Sequence, residues 1–363
     1  MQSFVRLAIT AMISCSLLGT AAAEKKQSGG AQKRSPADIE AATRLQIFLD
    51  RANFGPGKLD GYYGEFTRKA LALYRESRGE AAPAAPAGKA EALPDVTGLD
   101  LASVDPVFIT YTVTDADLEN VGELPTEVAA QAKLKALPYR DAAEALSEKF
   151  HSDPDFLEQL NPGKMKDIKA GDELQVPNVE PFELAAVKDL KPGSEINPSV
   201  ANEIAEGEPG GAEKPAGDAQ EQTGASTSPQ MTVTVDMKTN MLAVYDNEKV
   251  VAAYPVTIGS EQTESPVGEW KVRGVAKMPT FRYDEKMLNE GERSDDFHML
   301  PPGPNNPVGV IWIALNKKGI GLHGTAAPDS IGRSASHGCI RLANWDVVRL
   351  AGKIKGGVPV SIQ

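Results

Sequence analysis

Two stretches of the chain are nearly free of the large apolar residues that a packed core requires. Residues 80–94 (EAAPAAPAGKAEALP) and residues 195–230 are rich in Ala, Pro, Gly, Ser and Glu. Segments of this composition cannot bury enough apolar surface to offset the entropy lost on folding, so they are typical of linkers. We therefore expect a multidomain protein with an N-terminal segment at 36–79, a middle segment at 108–179 and a C-terminal segment at 231–363.

The first 23 residues have the pattern of a secretory signal peptide. Arg6 precedes an apolar run at residues 7–18, and three alanines ending at Ala23 precede a charged stretch. The run is shorter than the roughly 20 apolar residues that a membrane span needs. We expect cleavage after Ala23 and export to the periplasm.

Cleavage there would remove Cys15 and leave Cys339 as the one remaining cysteine. An intramolecular disulfide is then excluded. A lone thiol in an oxidising compartment is either buried and inert or chemically active. The formal net charge of −12 argues against nucleic acid as a partner.

Apolar positions in the N-terminal segment predict two short helices around a Gly-rich loop. The segment resembles the small helical peptidoglycan-binding domain, and a helical hairpin without a ligand is the alternative. The matching residues are Leu45, Gln46, Asp60, Gly61, Gly64, Thr67 and Ala70.

The middle segment resembles a LysM domain, a small α+β fold that binds glycans. Its features are two helices at 142–150 and 153–160, an Asn161-Pro162 turn and a closing strand, ELQVP. The opening strand is expected at FITYTV (108–113), although more residues than usual separate it from the first helix.

The C-terminal segment has the pattern of a mainly β fold. Stretches such as MTVTV, MLAVY and KVVAAYPVTIG alternate apolar and polar residues between Asn- and Asp-rich turns. One helix is expected after Asn344, with Asn344 as its N-cap. These elements predict an antiparallel sandwich or barrel with short helices.

The stretch HGTAAPDSIGRSASHGCIRL, residues 323–342, concentrates reactive residue types in this segment. A cysteine nucleophile needs an oriented imidazole and donors for the developing oxyanion. His323 can supply the imidazole, and Gly338 would let a carbonyl group approach the backbone amides of 337–339. Two alternatives remain: a zinc site, for which no fourth ligand follows at suitable spacing, and a buried inert thiol.

The motifs HGT, IG and SHGCIRL resemble the signature of the L,D-transpeptidase catalytic domain, the YkuD-type fold. SPVGEW (265–270) and LPPGPNNPVG (300–309) resemble further parts of it. The resemblance implies a cysteine acyl-enzyme that acts on peptidoglycan stem peptides, with no metal and no cofactor.

The resemblance also implies roles for individual residues. Cys339 matches the nucleophile and His323 the general base, whose other ring nitrogen would be held by a backbone carbonyl near Gly324. Backbone amides at His337, Gly338 and Cys339 match the oxyanion donors.

Three residues are expected to bind substrate: Arg341, Ser336 and Gly324. Arg341 would contact a substrate carboxylate, and a structural ion pair with Asp346 is an equal alternative.

Three functions follow from this pattern. The leading one is a periplasmic L,D-transpeptidase that forms 3-3 cross-links, attaches an outer-membrane protein to the wall, or exchanges D-amino acids. A cysteine L,D-carboxypeptidase and a non-catalytic peptidoglycan-binding protein are the alternatives. The sequence leaves the acyl acceptor and the oligomeric state open.

Overall fold

The structure, a computed structural model, describes residues 34–80, 93–190, 231–259, 265–290, 292–333 and 338–363. The predicted signal peptide at 1–23 and most of both predicted linkers lie outside the described residues. Within the described ranges, no helix combines the length and the apolar composition needed to cross a bilayer.

The N-terminal segment contains the two expected helices, α1 (Pro36–Arg51) and α2 (Glu65–Ser77). Gln46 holds the loop between them, because its side-chain amide donates to Asp60 at 2.8 Å and accepts from the Gly61 amide at 3.0 Å. Gly61 has a φ of +68°, which glycine adopts without the steric cost that a side chain would add.

The middle segment pairs β1 (Phe108–Thr112) antiparallel with β2 (Glu173–Pro177), so the expected opening strand is present. The helices α5 (Ala142–Lys149) and α6 (Pro154–Leu160) pack on this pair, and Asp141 and Asp153 cap them by accepting from backbone amides. The other helices in this part of the chain are single turns: α3 (Asp115–Leu118), α4 (Val128–Gln131) and α7 (Ala186–Asp189).

Strands dominate the C-terminal segment, which confirms the prediction of a mainly β fold. Eight of them form one sheet in the order β11-β10-β9-β6-β12-β3-β4-β5, and β7 and β8 form a separate hairpin. The strands are β3 (Met231–Asp236), β4 (Met241–Asp246), β5 (Lys249–Pro255), β6 (Gly268–Lys277), β7 (Phe281–Tyr283), β8 (His298–Leu300), β9 (Ile311–Leu315), β10 (Gly321–His323), β11 (Ile340–Arg341) and β12 (Pro359–Ile362). The helices are α8 (Glu285–Glu290) and α9 (Asn344–Lys353).

The sheet is mixed, so the expectation of a purely antiparallel one is wrong. β12 pairs parallel with β3, and β10 pairs parallel with β11. A parallel pair needs a long connection, and both pairs have one: residues 324–339 join β10 to β11, and residues 237–358, which include most of the other strands, separate β3 from β12.

The sheet curls until its two edges meet. Thr257, just after β5, exchanges both backbone hydrogen bonds with Arg341 of β11, each at 2.9 Å. This single bridge joins opposite edges, which gives the sheet the barrel-like closure that removes exposed strand edges.

Asn344 is not the N-cap of helix α9. Ala343 occupies that position, and Asn344 is the first helical residue. Its side chain points into the protein instead, where it bonds the amide of Val310 at 3.2 Å. The side-chain amide of Asn344, which the local pattern assigned to helix capping, therefore makes a tertiary contact instead.

Residues Pro36–Gln363 form one compact unit in which all three segments pack together. The chain at Asn53 and Gly55 runs along strand β5 and exchanges backbone hydrogen bonds with Ala253 at 2.8 and 2.9 Å. Leu49 and Leu71 share a core with β4 and β5. The N-terminal segment thus covers one edge of the sheet, and the domain boundaries drawn from the sequence stay predictions.

Candidate active site

Strands β10 and β11 position the two residues expected to do chemistry. The strands are parallel neighbours, with Leu322 opposite Ile340 and His323 opposite Arg341. His323 ends β10, and Cys339 immediately precedes β11. The pairing therefore brings a histidine and a cysteine that are 16 positions apart in sequence onto adjacent strands, within about two residues of each other along the sheet.

His323 is held in one orientation. It is 4% exposed, its Nδ1–H donates to the carbonyl of Gly324 at 2.6 Å, and its ring stacks on Trp312 with centroids 5.3 Å apart. Burial, with the neighbouring charge of Arg341, lowers the pKa of the imidazole to about 3. The ring is therefore neutral at physiological pH, and its Nε2 carries the lone pair that a general base needs.

Cys339 is partly buried, and its thiol donates to the carbonyl of Gly319 at 3.4 Å. Burial raises the pKa of the Cys339 thiol to about 11, even though the Gly321 backbone and Arg341 act in the opposite direction. The resting site thus holds a neutral thiol and a neutral imidazole.

Both residues line one cavity of about 250 Å³. Strand β7 and helix α8 form one wall, and strand β9 with the turn after it forms another. The described lining residues are Phe281, Arg282, Tyr283, Met287, Leu288, Pro307, Val308, Trp312, Ala314, Leu315, Lys317, Gly319, Ile320, His323, Cys339 and Arg341. A mostly apolar cleft with a few convergent polar groups is the usual form of an active site.

Asn344 packs behind the histidine. A Cβ on Gly324 would lie 2.1 Å from Asn344 Oδ1, and a Cβ on Gly309 would lie 2.2 Å from the same atom. Gly309 also has a φ of +63°. Both positions therefore require glycine, and the amide of Asn344 fits closely against the backbone that holds His323.

Gly338 has a φ of +101° and is buried beside Cys339. Glycine adopts this left-handed region readily, whereas other residues are strained there. Ser336 and His337 lie outside the described residues. Gly324 contacts His323 and is not among the described cavity-lining residues.

Arg341 lines the cavity, and among the described residues it makes no ion pair; its buried Nε has no hydrogen-bond partner there. The alternative of an ion pair with Asp346 is wrong. The buried Asp346 lies instead against Gly55 of the N-terminal segment, where a Cβ on the glycine would be 3.2 Å from Asp346 Oδ1. The Arg341 side chain is thus left to face the cavity.

Across the described ranges, no three His, Cys, Asp or Glu residues are grouped closely enough to hold a metal ion. Sequence reasoning missed Trp312 and the bracing role of Asn344. Trp312 sits in an apolar run whose local pattern indicates only a buried strand, and the partners of Asn344 are distant in sequence.

Residues 230–362 match the family model of the L,D-transpeptidase catalytic domain, YkuD. The Bacillus subtilis protein YqjB, an L,D-transpeptidase by name, is 36% identical over 135 residues, covering 36% of this chain and 69% of YqjB. The chain belongs to the L,D-transpeptidase family.

Two other proteins named as L,D-transpeptidases also match only about a third of this chain. YkuD of Bacillus licheniformis is 32% identical over 130 residues, which cover 36% of this chain and 64% of that protein. YbiS of Escherichia coli is 31% identical over 115 residues, which cover 30% of this chain and 37% of YbiS. The chain therefore spans a little under two thirds of the Bacillus licheniformis relative.

The raised thiol pKa predicts a slow reaction of Cys339 with iodoacetamide at neutral pH. With a pKa of about 11, only on the order of one thiol in ten thousand is ionised at pH 7. Alkylation of Cys339, followed by peptide mass mapping, should accelerate steadily from pH 7 to pH 10. In urea the alkylation rate of the same cysteine should level off just above its ordinary pKa of about 8.5. A plateau below pH 8 in the folded protein would instead mean a resting thiolate and imidazolium.

Proposed function

We propose that the protein is a periplasmic L,D-transpeptidase that acts on peptidoglycan stem peptides through an acyl-enzyme on Cys339. The observation that carries the proposal is the shared cavity of Cys339 and His323, with His323 Nδ1 bonded to Gly324. That bond leaves Nε2 as the acceptor for the thiol proton.

The proposed reaction has two acyl transfers. Cys339 Sγ attacks the carbonyl carbon of the third stem residue while His323 Nε2 takes the thiol proton. Hydrogen bonds from the backbone amides of His337, Gly338 and Cys339 would stabilise the oxyanion. Collapse breaks the peptide bond, and the departing amine of the terminal D-Ala takes the proton from His323.

In the second transfer an acceptor amine attacks the thioester, and His323 removes its proton. The C–S bond breaks and the thiolate of Cys339 recovers the proton from His323. The acceptor amine can belong to a second stem, an outer-membrane protein or a free D-amino acid, because all three consume the same thioester. Water as acceptor gives the L,D-carboxypeptidase instead.

The charge of the cavity supports a substrate that carries carboxylates. The chain has a formal net charge of −12, yet the described lining residues include Arg282, Lys317 and Arg341 and no Asp or Glu. Arg282 is paired with Asp284, whereas Arg341 has no such partner among the described residues. Peptide stems bear free carboxylates that these cations would attract.

The N-terminal and middle segments are proposed to bind peptidoglycan and its glycan, as their resemblances imply. The loop held by Gln46 leaves Tyr62 about half exposed, at 53%. An exposed aromatic ring beside a polar loop is a suitable surface for sugar rings.

Incubation with purified disaccharide-tetrapeptide tests the proposal. We expect a cross-linked dimer together with release of D-Ala, detected by mass spectrometry. A tripeptide monomer without dimer would identify the carboxypeptidase. Unchanged substrate with the folded protein would support the non-catalytic binding protein.

A further inference from the structure

The middle segment reaches the C-terminal segment through a buried carboxylate. Glu148, near the end of helix α5, is 8% exposed. Its Oε1 accepts from Asn344 Nδ2 at 2.7 Å, and its Oε2 accepts from the hydroxyl of Tyr139. The hydrogen bond between Glu148 and Asn344 joins the middle and C-terminal segments across 196 positions of sequence.

Asn344 continues the connection to the proposed base. Its Oδ1 accepts from the Val310 amide and lies against Gly324, where no Cβ would fit. The carbonyl of Gly324 in turn accepts from His323 Nδ1. Glu148 is thus linked to His323 by an unbroken series of direct contacts.

Glu148 favours one orientation of the Asn344 side-chain amide, and the Pro304 carbonyl supports the same orientation by accepting from the NH₂ group at 3.4 Å. Burial raises the pKa of Glu148 to about 7, so the carboxylate form predominates above neutral pH. In that form Glu148 only accepts hydrogen bonds, so it draws the NH₂ group of Asn344 towards itself and leaves Oδ1 for Val310 and Gly324. The reverse orientation would place the NH₂ group against the Val310 N–H. Replacement of buried charged groups by well-packed apolar side chains is often neutral or stabilising in proteins, so we expect Glu148 to have a role beyond stability.

We propose that Glu148 is a positioning residue for the reaction: through Asn344 and Gly324 it fixes His323 as the Nδ1–H tautomer with Nε2 free to accept the thiol proton. This inference rests on the proposed function for the reaction itself. It makes the middle segment a part of the active site as well as a candidate wall-binding element.

The test compares Glu148→Leu with Glu148→Gln in the full chain. Leu removes the acceptor, and misplacement of a catalytic group by about 1 Å can lower turnover by about 100-fold, so kcat should fall strongly with little change in KM. Gln can still accept from Asn344 while its NH₂ donates to the Tyr139 oxygen, so it should retain most of the turnover. Glu173→Leu, which removes an exposed carboxylate from the same segment, should behave like the wild type.

A spectrum of ¹⁵N-histidine-labelled protein reports the tautomer without any substrate. The chain has four histidines, and His323→Ala identifies the signal of His323. We expect Nδ1–H alone in the wild type and in Glu148→Gln, and a mixture of tautomers in Glu148→Leu. Because no stem peptide is involved, this result stands even if the proposed reaction fails.

A double variant, Glu148→Leu with Asn344→Ala, should lose no more turnover than the worse single variant, because both changes break the same series. Wild-type kcat and tautomer in Glu148→Leu, or equal losses in Leu and Gln, would overturn the proposal. If Glu148→Leu does not fold, Glu148→Asp is the substitute, because it withdraws the carboxylate by one methylene. This variant should also lose kcat and show a mixture of His323 tautomers. Wild-type kcat and tautomer in Glu148→Asp would overturn the proposal.

Discussion

Replacement of Cys339 by Ala should abolish turnover of disaccharide-tetrapeptide while the protein stays folded. The change replaces a thiol by hydrogen at a partly buried position on the cavity wall, so the loss of packing is small. The wild type incubated with donor alone should gain the mass of the acyl group on Cys339, and the variant should gain none. Intact-mass spectrometry measures the acyl adduct, and circular dichroism shows whether the variant stays folded.

His323→Ala is the matched variant for the same experiment. General-base assistance is typically worth about 10²–10⁴-fold, so turnover should fall at least that far while Cys339 remains available for alkylation. Dimer formation by Cys339→Ala, or an acyl adduct on another residue, would refute the proposed nucleophile. Release of bound metal from the wild type would favour the zinc alternative.

Replacement of Asp50 by Ala should lower the free energy of unfolding by about 3–5 kcal/mol, because it leaves the largely buried guanidinium of Arg349, 17% exposed, without its carboxylate partner. Asp50 is 0% exposed in its side chain, and both its oxygens accept from Arg349 of helix α9 at 2.9 Å. His151 of the middle segment bonds Asp50 at 3.0 Å and stacks on Trp345. One carboxylate therefore joins all three segments.

Electrostatics at Asp50 agree with this expectation. Burial by itself would raise the pKa of the Asp50 carboxyl, but His151 and Arg349 outweigh it and hold the pKa well below its ordinary value. The lowered pKa means that this stabilisation is present above the ordinary carboxyl pKa and is lost as the pH falls through the folded-state value.

Urea unfolding followed by tryptophan fluorescence and by circular dichroism measures the effect of Asp50→Ala. Glu40→Ala provides the control on the same helix, because it removes an exposed pair with Arg44, and such pairs contribute about 1 kcal/mol or less. A change in Asp50→Ala no larger than in Glu40→Ala would show that the segments do not depend on this contact.

Local patterns predicted the elements well where a segment buries one continuous face. The alternation in MTVTV and MLAVY predicted β3 and β4, and the apolar spacing on both sides of the Asp60-Gly61 loop predicted α1 and α2. The hydrogen bond from His323 to the Gly324 carbonyl also agrees with expectation. The N-cap at Asn344 failed because a short polar side chain at a helix start can serve either the helix or a distant partner.

Local sequence patterns could not predict which neighbouring strands run parallel and which run antiparallel. Alternation shows which face of a strand is buried, and it is the same for parallel and antiparallel neighbours. β10 and β11 are parallel because the chain, after leaving β10 at His323, returns to the end of the sheet at which β10 begins before it enters β11. Only that return places the histidine and the cysteine in one cavity.

The sequence by itself determined the family and the candidate residues: one cysteine, two histidines and glycines in one short motif are enough to identify an L,D-transpeptidase domain, because reactivity depends on residue type. The tertiary structure alone decided how the segments meet. Asp50 and Arg349 are 299 positions apart, and Glu148 and Asn344 are 196 apart. Such pairs follow from the docking of folded surfaces, whose complementarity no local pattern encodes.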